Sequence, residues 1–250
     1  MLRSRLLGLI AVCWWIPAPA CAAELTLEQV VERHTEAVGG RPAIERVRSV
    51  QFALTIVEPQ FTVDGTYRAD RDLRMRIDVY ADGKRVFTEA YDGHRAWQMG
   101  DDGIPHEANA KGTAALRNGI LLPGKLFGLH EGRVAGYELQ LLGRETVDKT
   151  NFHVVKLTTA GGDVIRLYIN PENWLIERTR VKKALHPDVD PTEKWLETQL
   201  SDFRRSDGVL RSFKSVDIDL ESGAVIQTTV VKEITTNPSL DDSLFQTPPR

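Results

Sequence analysis

From Arg48 to Glu233, apolar and polar residues alternate in short runs separated by Gly, Asp and Asn turns. A period of two sends successive side chains to opposite faces of an extended backbone, so each run predicts a half-buried strand rather than a helix. In the first run Val50, Phe52, Leu54 and Ile56 alternate with Gln51, Ala53 and Thr55. A later run sets Leu73, Met75, Ile77 and Val79 against Arg74, Arg76 and Asp78. Asp82-Gly83, Asp92-Gly93, Asp207-Gly208 and Ser222-Gly223 fall between runs, where residues that tolerate positive φ reverse the chain. The spacing predicts about eleven or twelve strands. Alternation of this kind fits an antiparallel sheet with one wet face, not a parallel sheet covered on both.

A sheet of that many strands curls, and its apolar concave face needs a cover. Two segments are available. Thr26 and Gln29 form a capping-box pattern, and Leu27, Val30, Val31, His34 and Val38 then fall on one helical face. Gly39-Gly40 ends this helix, and Pro42 is placed to start a short second one through Val47. The other cover lies between Met99 and Gly136, where the alternation stops. There Ala108 to Ile120 reads as helical despite Gly112, followed by the apolar cluster Leu121, Leu122, Leu126, Phe127 and Leu129. Periodicity leaves open whether this insertion plugs the sheet as core or closes over it as a lid.

Residues 1–23 have the layout of a cleaved signal peptide: Arg3 and Arg5, an apolar run from Leu6 to Ile16, then a small-residue stretch to Ala23. Cleavage before Cys21 would leave an acylable cysteine, but Pro19 and Ala18 fit a lipobox poorly, so ordinary cleavage is the expectation. No later segment reaches the ~18 to 20 apolar residues of a transmembrane helix. Both cysteines, Cys13 and Cys21, lie in the leader, so the folded part has no intramolecular disulfide. Removing Arg3 and Arg5 from 32 basic residues leaves 30 against 35 acids, a net of about −5, which argues against nucleic acid as a partner. Residues 24–250 show no linker or repeat and predict a single domain.

The catalytic inventory is thin. There is no G-x-S-x-G, H-E-x-x-H, P-loop or C-x-x-C pattern, so neither an enzyme nor a cofactor is expected. His186, Asp188 and Asp190 alternate in a Pro-bracketed stretch, and His106 sits near Asp101, Asp102 and Glu107; both read as solvated loops rather than metal sites. His34, with no ligand partner at i±3 or i±4, reads as a packed histidine. Arg68, Arg71, Arg74 and Arg76 form a basic patch, read as an outer face with cross-strand acid partners.

Several stretches together resemble the outer-membrane lipoprotein-sorting (LolA/LolB-like) superfamily. They are the helix ending in Gly39-Gly40 before Ala43-Ile44, and Tyr91-Asp92-Gly93 followed by Trp97. They also include Leu167-Tyr168-Ile169-Asn170-Pro171-Glu172 leading into Leu175-Ile176, and Asp202-Phe203-Arg204 before Asp207-Gly208-Val209. The resemblance runs from about Leu25 to Phe245 and rests on order and spacing. Asn170 and Ser212 depart from the Asp and Pro common at those places, and no functional arginine of the lipoprotein carrier has a match to carry over.

The resemblance implies a mainly β periplasmic protein: an unclosed antiparallel half-barrel of about eleven strands, covered by the N-terminal and inserted helices, holding lipid or lipoprotein acyl chains. The candidate lining is Phe52, Leu54, Ile56, Met75, Ile77, Trp97, Leu126 and Phe127. One chain of about fifteen methylenes gains roughly 12 kcal/mol on full burial, against an association cost of about 4 to 15 kcal/mol. Only a deep, covered cavity or a multi-chain cargo therefore binds usefully. The alternative is an envelope scaffold that engages a protein partner, with a plugged half-barrel and no lipid cargo.

Overall fold

A computed structural model describes residues 24–184 and 192–249. The chain opens with α1 (Leu27–Ala37) and α2 (Arg41–Glu45). Six strands follow: β1 (Ser49–Glu58), β2 (Phe61–Asp70), β3 (Met75–Ala81), β4 (Lys84–Tyr91), β5 (Ala96–Met99) and β6 (Pro105–Glu107). After α3 (Ala110–Leu121) come β7 (Glu138–Val147), β8 (Thr150–Thr158), β9 (Val164–Ile169) and β10 (Ile176–Lys183). The last three are β11 (Lys194–Ser206), β12 (Val209–Asp219) and β13 (Val225–Thr236).

All thirteen strands form one antiparallel sheet in the order β6-β5-β4-β3-β2-β1-β13-β12-β11-β10-β9-β8-β7. Because β13 pairs with β1, the two halves of the chain grow outward from the middle, and β6 and β7 end as opposite, unpaired edges. The half-barrel is therefore unclosed, as expected. The segment joining β6 to β7 must travel from one edge to the other, and it does so across the concave face. The strand beyond the expected eleven or twelve is β6, whose three residues are too short to show any alternation.

Local chemistry explains the joints. The Thr26 hydroxyl accepts from the Gln29 N–H at 3.3 Å, and the Gln29 side-chain carbonyl accepts from the Thr26 N–H at 2.9 Å, completing the capping box. Asp82-Gly83 and Asp207-Gly208 have paired positive φ values, the geometry of two-residue hairpin turns whose twist matches the strands. Asp148 and Lys149 make the same kind of turn at φ 46° and 73° without a glycine. Gly39, at φ 130°, is where α1 meets the β11–β12 hairpin: a Cβ there would stand 2.3 Å from the Gly208 carbonyl oxygen. The adjacent Leu210 N–H donates to the Val38 carbonyl at 2.8 Å, fastening helix to hairpin.

The main core lies on the concave side, between the sheet, α1, α2 and residues 120–137. The convex side is not uniformly wet. Ala90, Trp97 and Met99 form a separate cluster there, roofed by the C-terminal segment, whose Phe245 is fully buried. The Trp97 Nε1–H donates to the Phe245 carbonyl at 2.8 Å, and the Arg76 guanidinium donates to the Leu244 carbonyl at 2.9 Å. A third cluster, Phe152, Val154 and Tyr168, is capped by the Arg178 and Arg180 guanidinium groups. Among the described residues, no helix is long and apolar enough to cross a membrane.

Candidate functional site

Beneath the crossing segment the concave face is not filled. A cavity of about 530 Å³ remains, roofed by residues 119–128 and closed at one side by His34, Val38, Ile44 and Val47 from the N-terminal helices. That lies within the roughly 300–1,000 Å³ typical of small-molecule sites. A water in the liquid takes about 30 Å³, and a methylene needs a similar share, so there is room for one long acyl chain.

Six of the eight expected lining residues meet here: Phe52, Leu54 and Ile56 from β1, Ile77 from β3, and Leu126 and Phe127 from the crossing segment. Met75 is on the same face as Ile77 but is packed solid in the core and does not border the cavity. Trp97 is a correction. Register pairs it with Ala90, while its neighbour Ala96 pairs with Tyr91 and takes the concave side, so the indole lies on the convex face. A four-residue strand with apolar groups on both faces carries no alternation from which to read that.

The crossing segment is held by an arginine. Arg71, in the β2–β3 connection, donates to the carbonyls of Val47 at 2.6 Å, Ile44 at 3.2 Å and Leu126 at 2.8 Å. It also pairs with both oxygens of Glu131, at 2.7 and 3.3 Å, and stacks over Phe127 with 4.8 Å to the ring centroid. Burial pushes the Glu131 carboxyl up, but Arg71 and the Gly128 N–H outweigh that and hold it below the usual range. In the rest of the basic patch Arg68 has the expected cross-strand acid, Asp78, whereas Arg76 pairs with the same Asp78 along its own strand and Arg74 with Asp70 across the β2–β3 connection.

The opposite wall carries a polar row among apolar residues, which the alternation did not announce. Thr179, Thr198, Asp217 and Gln227 lie side by side in one row across β10 to β13 and line the cavity. Thr198 donates its hydroxyl to Asp217, and the Gln227 amide reaches the other carboxylate oxygen at 3.5 Å. Threonine and glutamine at inward positions look the same in sequence as solvent-facing residues. The cavity is thus mainly apolar, with one hydrogen-bonding row on the β10–β13 side, flanked there by Val181, Leu200 and Val231.

Besides Asp217, the charged or ionisable groups on its border include His34, Lys125, Lys183, Arg211 and Lys214. His34 is buried and its Nδ1–H donates to the Trp174 carbonyl at 2.8 Å; burial lowers its pKa to about 4, keeping the ring neutral. Trp174 is itself clamped between His153, stacked at 5.2 Å between ring centroids, and Arg33, whose guanidinium is 4.7 Å from the indole centroid. Lys125 hangs from the crossing segment with its Nζ 4.5 Å from the Tyr67 ring centroid. Surrounding protein, with Lys183 adding repulsion, draws its ammonium pKa downward. Lys125 is nonetheless exposed, so water offsets most of that desolvation. Arg211 on β12 is 3 % exposed, and burial lowers its pKa against the pull of Asp207. Its place between Val209 and Phe213, at the period of two, was the signal that could have found it.

Among the described residues, no three or more His, Cys, Asp or Glu side chains are grouped to hold a metal ion. The His186 to Asp190 stretch lies outside the described residues, as does the leader with Cys21.

A one-sided, unclosed antiparallel sheet with helices over its hollow is the LolA/LolB-like fold, and solved structures match it. The chain is similar to a LolA superfamily protein from Nitrosomonas europaea, with a TM-score of 0.57 and 15 % identity over 89 % of this chain and 98 % of that one. A DUF1329 family protein from Desulfovibrio piger matches at TM-score 0.57 and 11 % identity, over 88 % and 97 % of the two chains. A domain assigned as an outer-membrane lipoprotein-sorting protein, from Vibrio parahaemolyticus, matches at 0.57 and 8 % identity, over 87 % and 96 %. At these identities the likeness is one of fold. No protein-family model matches the chain, and no curated protein is significantly similar to it.

Proposed function

We propose that this chain is an exported, periplasmic binding or carrier protein that takes an acyl chain of a lipid or lipoprotein into its concave cavity. The observation that carries the reading is the space left under the crossing segment. A plugged half-barrel would bring residues 119–128 down onto β1 and β3, whereas here Phe52, Leu54, Ile56 and Ile77 face an opening of about 530 Å³. Roofed by residues 119–128, that space shields more of one chain's ~12 kcal/mol of transfer energy than a shallow groove would. The polar row on the other wall suits the ester or headgroup end of an amphiphile. The sequence similarity of the leader to a signal peptide supports export, and the fold shared with a lipoprotein-sorting domain agrees with an envelope location.

The test is occupancy. Protein purified from its own envelope should release lipid in native mass spectrometry, and after delipidation it should take up an apolar fluorescent probe saturably, with displacement by long-chain lipid. Protein that carries no lipid and takes up no probe overturns the reading and leaves the scaffold alternative.

A further inference from the structure

Four cations border the cavity, Lys125, Lys183, Arg211 and Lys214, and two of them, Arg211 and Lys125, come together where the roof meets the sheet, with Asp207 attracting Arg211 only from beyond ion-pair distance. Arg211 contributes its guanidinium from the sheet side, where it donates to the Ser206 carbonyl at 3.1 Å and reaches the Lys125 carbonyl at 3.5 Å. Its Nε–H is buried and has no acceptor among the described residues. Lys125 comes from the roof, its ammonium resting over the Tyr67 ring. Neither side chain has a carboxylate within ion-pair distance among the described residues. The acid on the cavity wall, Asp217, is six residues further along β12, roughly 20 Å away at ~3.3 Å per residue, and is occupied by Thr198 and Gln227. Elsewhere in this molecule buried guanidinium groups are paired: Arg71 with Glu131, Arg76 with Asp78, Arg178 and Arg180 with Glu197. Arg211, more deeply buried than these, breaks that habit where it borders the cavity.

A buried cation left without a counter-charge is costly, and leaving a guanidinium N–H without an acceptor adds to the cost. An anion entering the cavity would relieve both. We propose that Arg211 and Lys125 form an anion subsite whose occupant is a single-chain amphiphile with an anionic head, a carboxylate or a phosphate monoester, its chain lying along Phe52, Leu54 and Ile77. The inference rests on the acyl-chain reading and adds the charge of the ligand to it. The volume agrees: one chain fills the cavity, so head and tail belong to one small molecule. Burial desolvates the Arg211 guanidinium, a cost that an anionic head would offset.

The experiment uses the delipidated, processed protein and two fluorescent probes that differ only in the head, cis-parinaric acid and its methyl ester. The acid should bind roughly 10- to 100-fold tighter than the ester. Arg211→Gln should bring the acid down to the affinity of the ester and leave the ester unchanged. Because Arg211 is buried, Lys125→Met repeats the test without risk to folding, since the Lys125 side chain makes no hydrogen bond among the described residues; it should narrow the ratio severalfold. Dodecyl phosphate should displace the acid and inorganic phosphate should not. Equal binding of acid and ester by the wild type overturns the inference while leaving the acyl-chain reading in place. Displacement of the acid by inorganic phosphate alone also overturns it, assigning the subsite to free anions. Binding of neither probe removes both readings.

Discussion

Replacing Arg71 by Met keeps an unbranched apolar side chain and removes the guanidinium that stacks on Phe127 and ties the roof of the cavity to the rest of the protein. What is stranded can be counted from the structure. Glu131 loses both of its Arg71 contacts and keeps the Gly128 N–H, at 2.8 Å, while the carbonyls of Val47, Ile44 and Leu126 each lose a donor. Removing one partner of a buried ion pair costs about 3 to 5 kcal/mol. The Arg71 side chain is 15 % exposed, so water can reach part of the gap and the lower end of that range applies, ~3 kcal/mol. Urea unfolding should show that loss, and amide exchange should speed up first across residues 122–136, the segment that Arg71 holds. Glu131→Gln in the Arg71→Met background should recover part of it, because the stranded charge is gone. The double-mutant cycle should therefore give a coupling of about 1 to 3 kcal/mol. A loss under ~1 kcal/mol, or additivity within about 0.5 kcal/mol, would refute the view that this pair pins the roof.

Three further outcomes are expected. His34 has a folded pKa of about 4 against ~6.5 unfolded, so the unfolded chain takes up a proton first on acidification. Stability should be intact above pH ~6.5 and fall by up to about 3 kcal/mol as pH drops to 4; in His34→Gln that part of the urea-midpoint slope should vanish, and an unchanged slope would count against it. Ile77→Trp should be tolerated with less than ~1 kcal/mol of destabilisation because it grows into space, whereas a filled core would resist it by about 1 to 3 kcal/mol. The same variant should lose probe uptake by at least about tenfold, and uptake at the wild-type level would place the ligand elsewhere. Trp97→Phe deletes the buried hydrogen bond to Phe245 and should cost about 1 to 2 kcal/mol, with proteolysis of residues 241–249 accelerating and probe uptake unchanged.

Much of the sheet was readable because its signals are local. Thr26 and Gln29 are three residues apart, Asp82-Gly83 and Asp207-Gly208 are adjacent, and the alternation through Phe52, Leu54 and Ile56 spans a single strand. The turn at Asp148-Lys149 was not readable, since residues other than glycine adopt positive φ there through the pairing of β7 and β8. Trp97 and Arg211 mark the two ways in which face assignment fails. A strand as short as β5 has too few positions to set a phase, and Arg211 holds the inward phase between Val209 and Phe213 while its residue type reads as outward. The polar row of Thr179, Thr198, Asp217 and Gln227 is invisible because its members come from four strands and meet only through register.

Backbone period, turn chemistry and capping are properties of a few consecutive residues, so the chain order alone dictates a curled, one-sided sheet with two covers. Whether that hollow is core or cavity is a different kind of quantity. It is the volume, about 530 Å³, left between two large packed surfaces. Their placement is set by contacts distant in sequence: Arg71 with Glu131, Gly39 against Gly208, His34 on Trp174. The alternating residues therefore specify a concave apolar face, and long-range packing leaves it open, with a guanidinium and an ammonium on its wall.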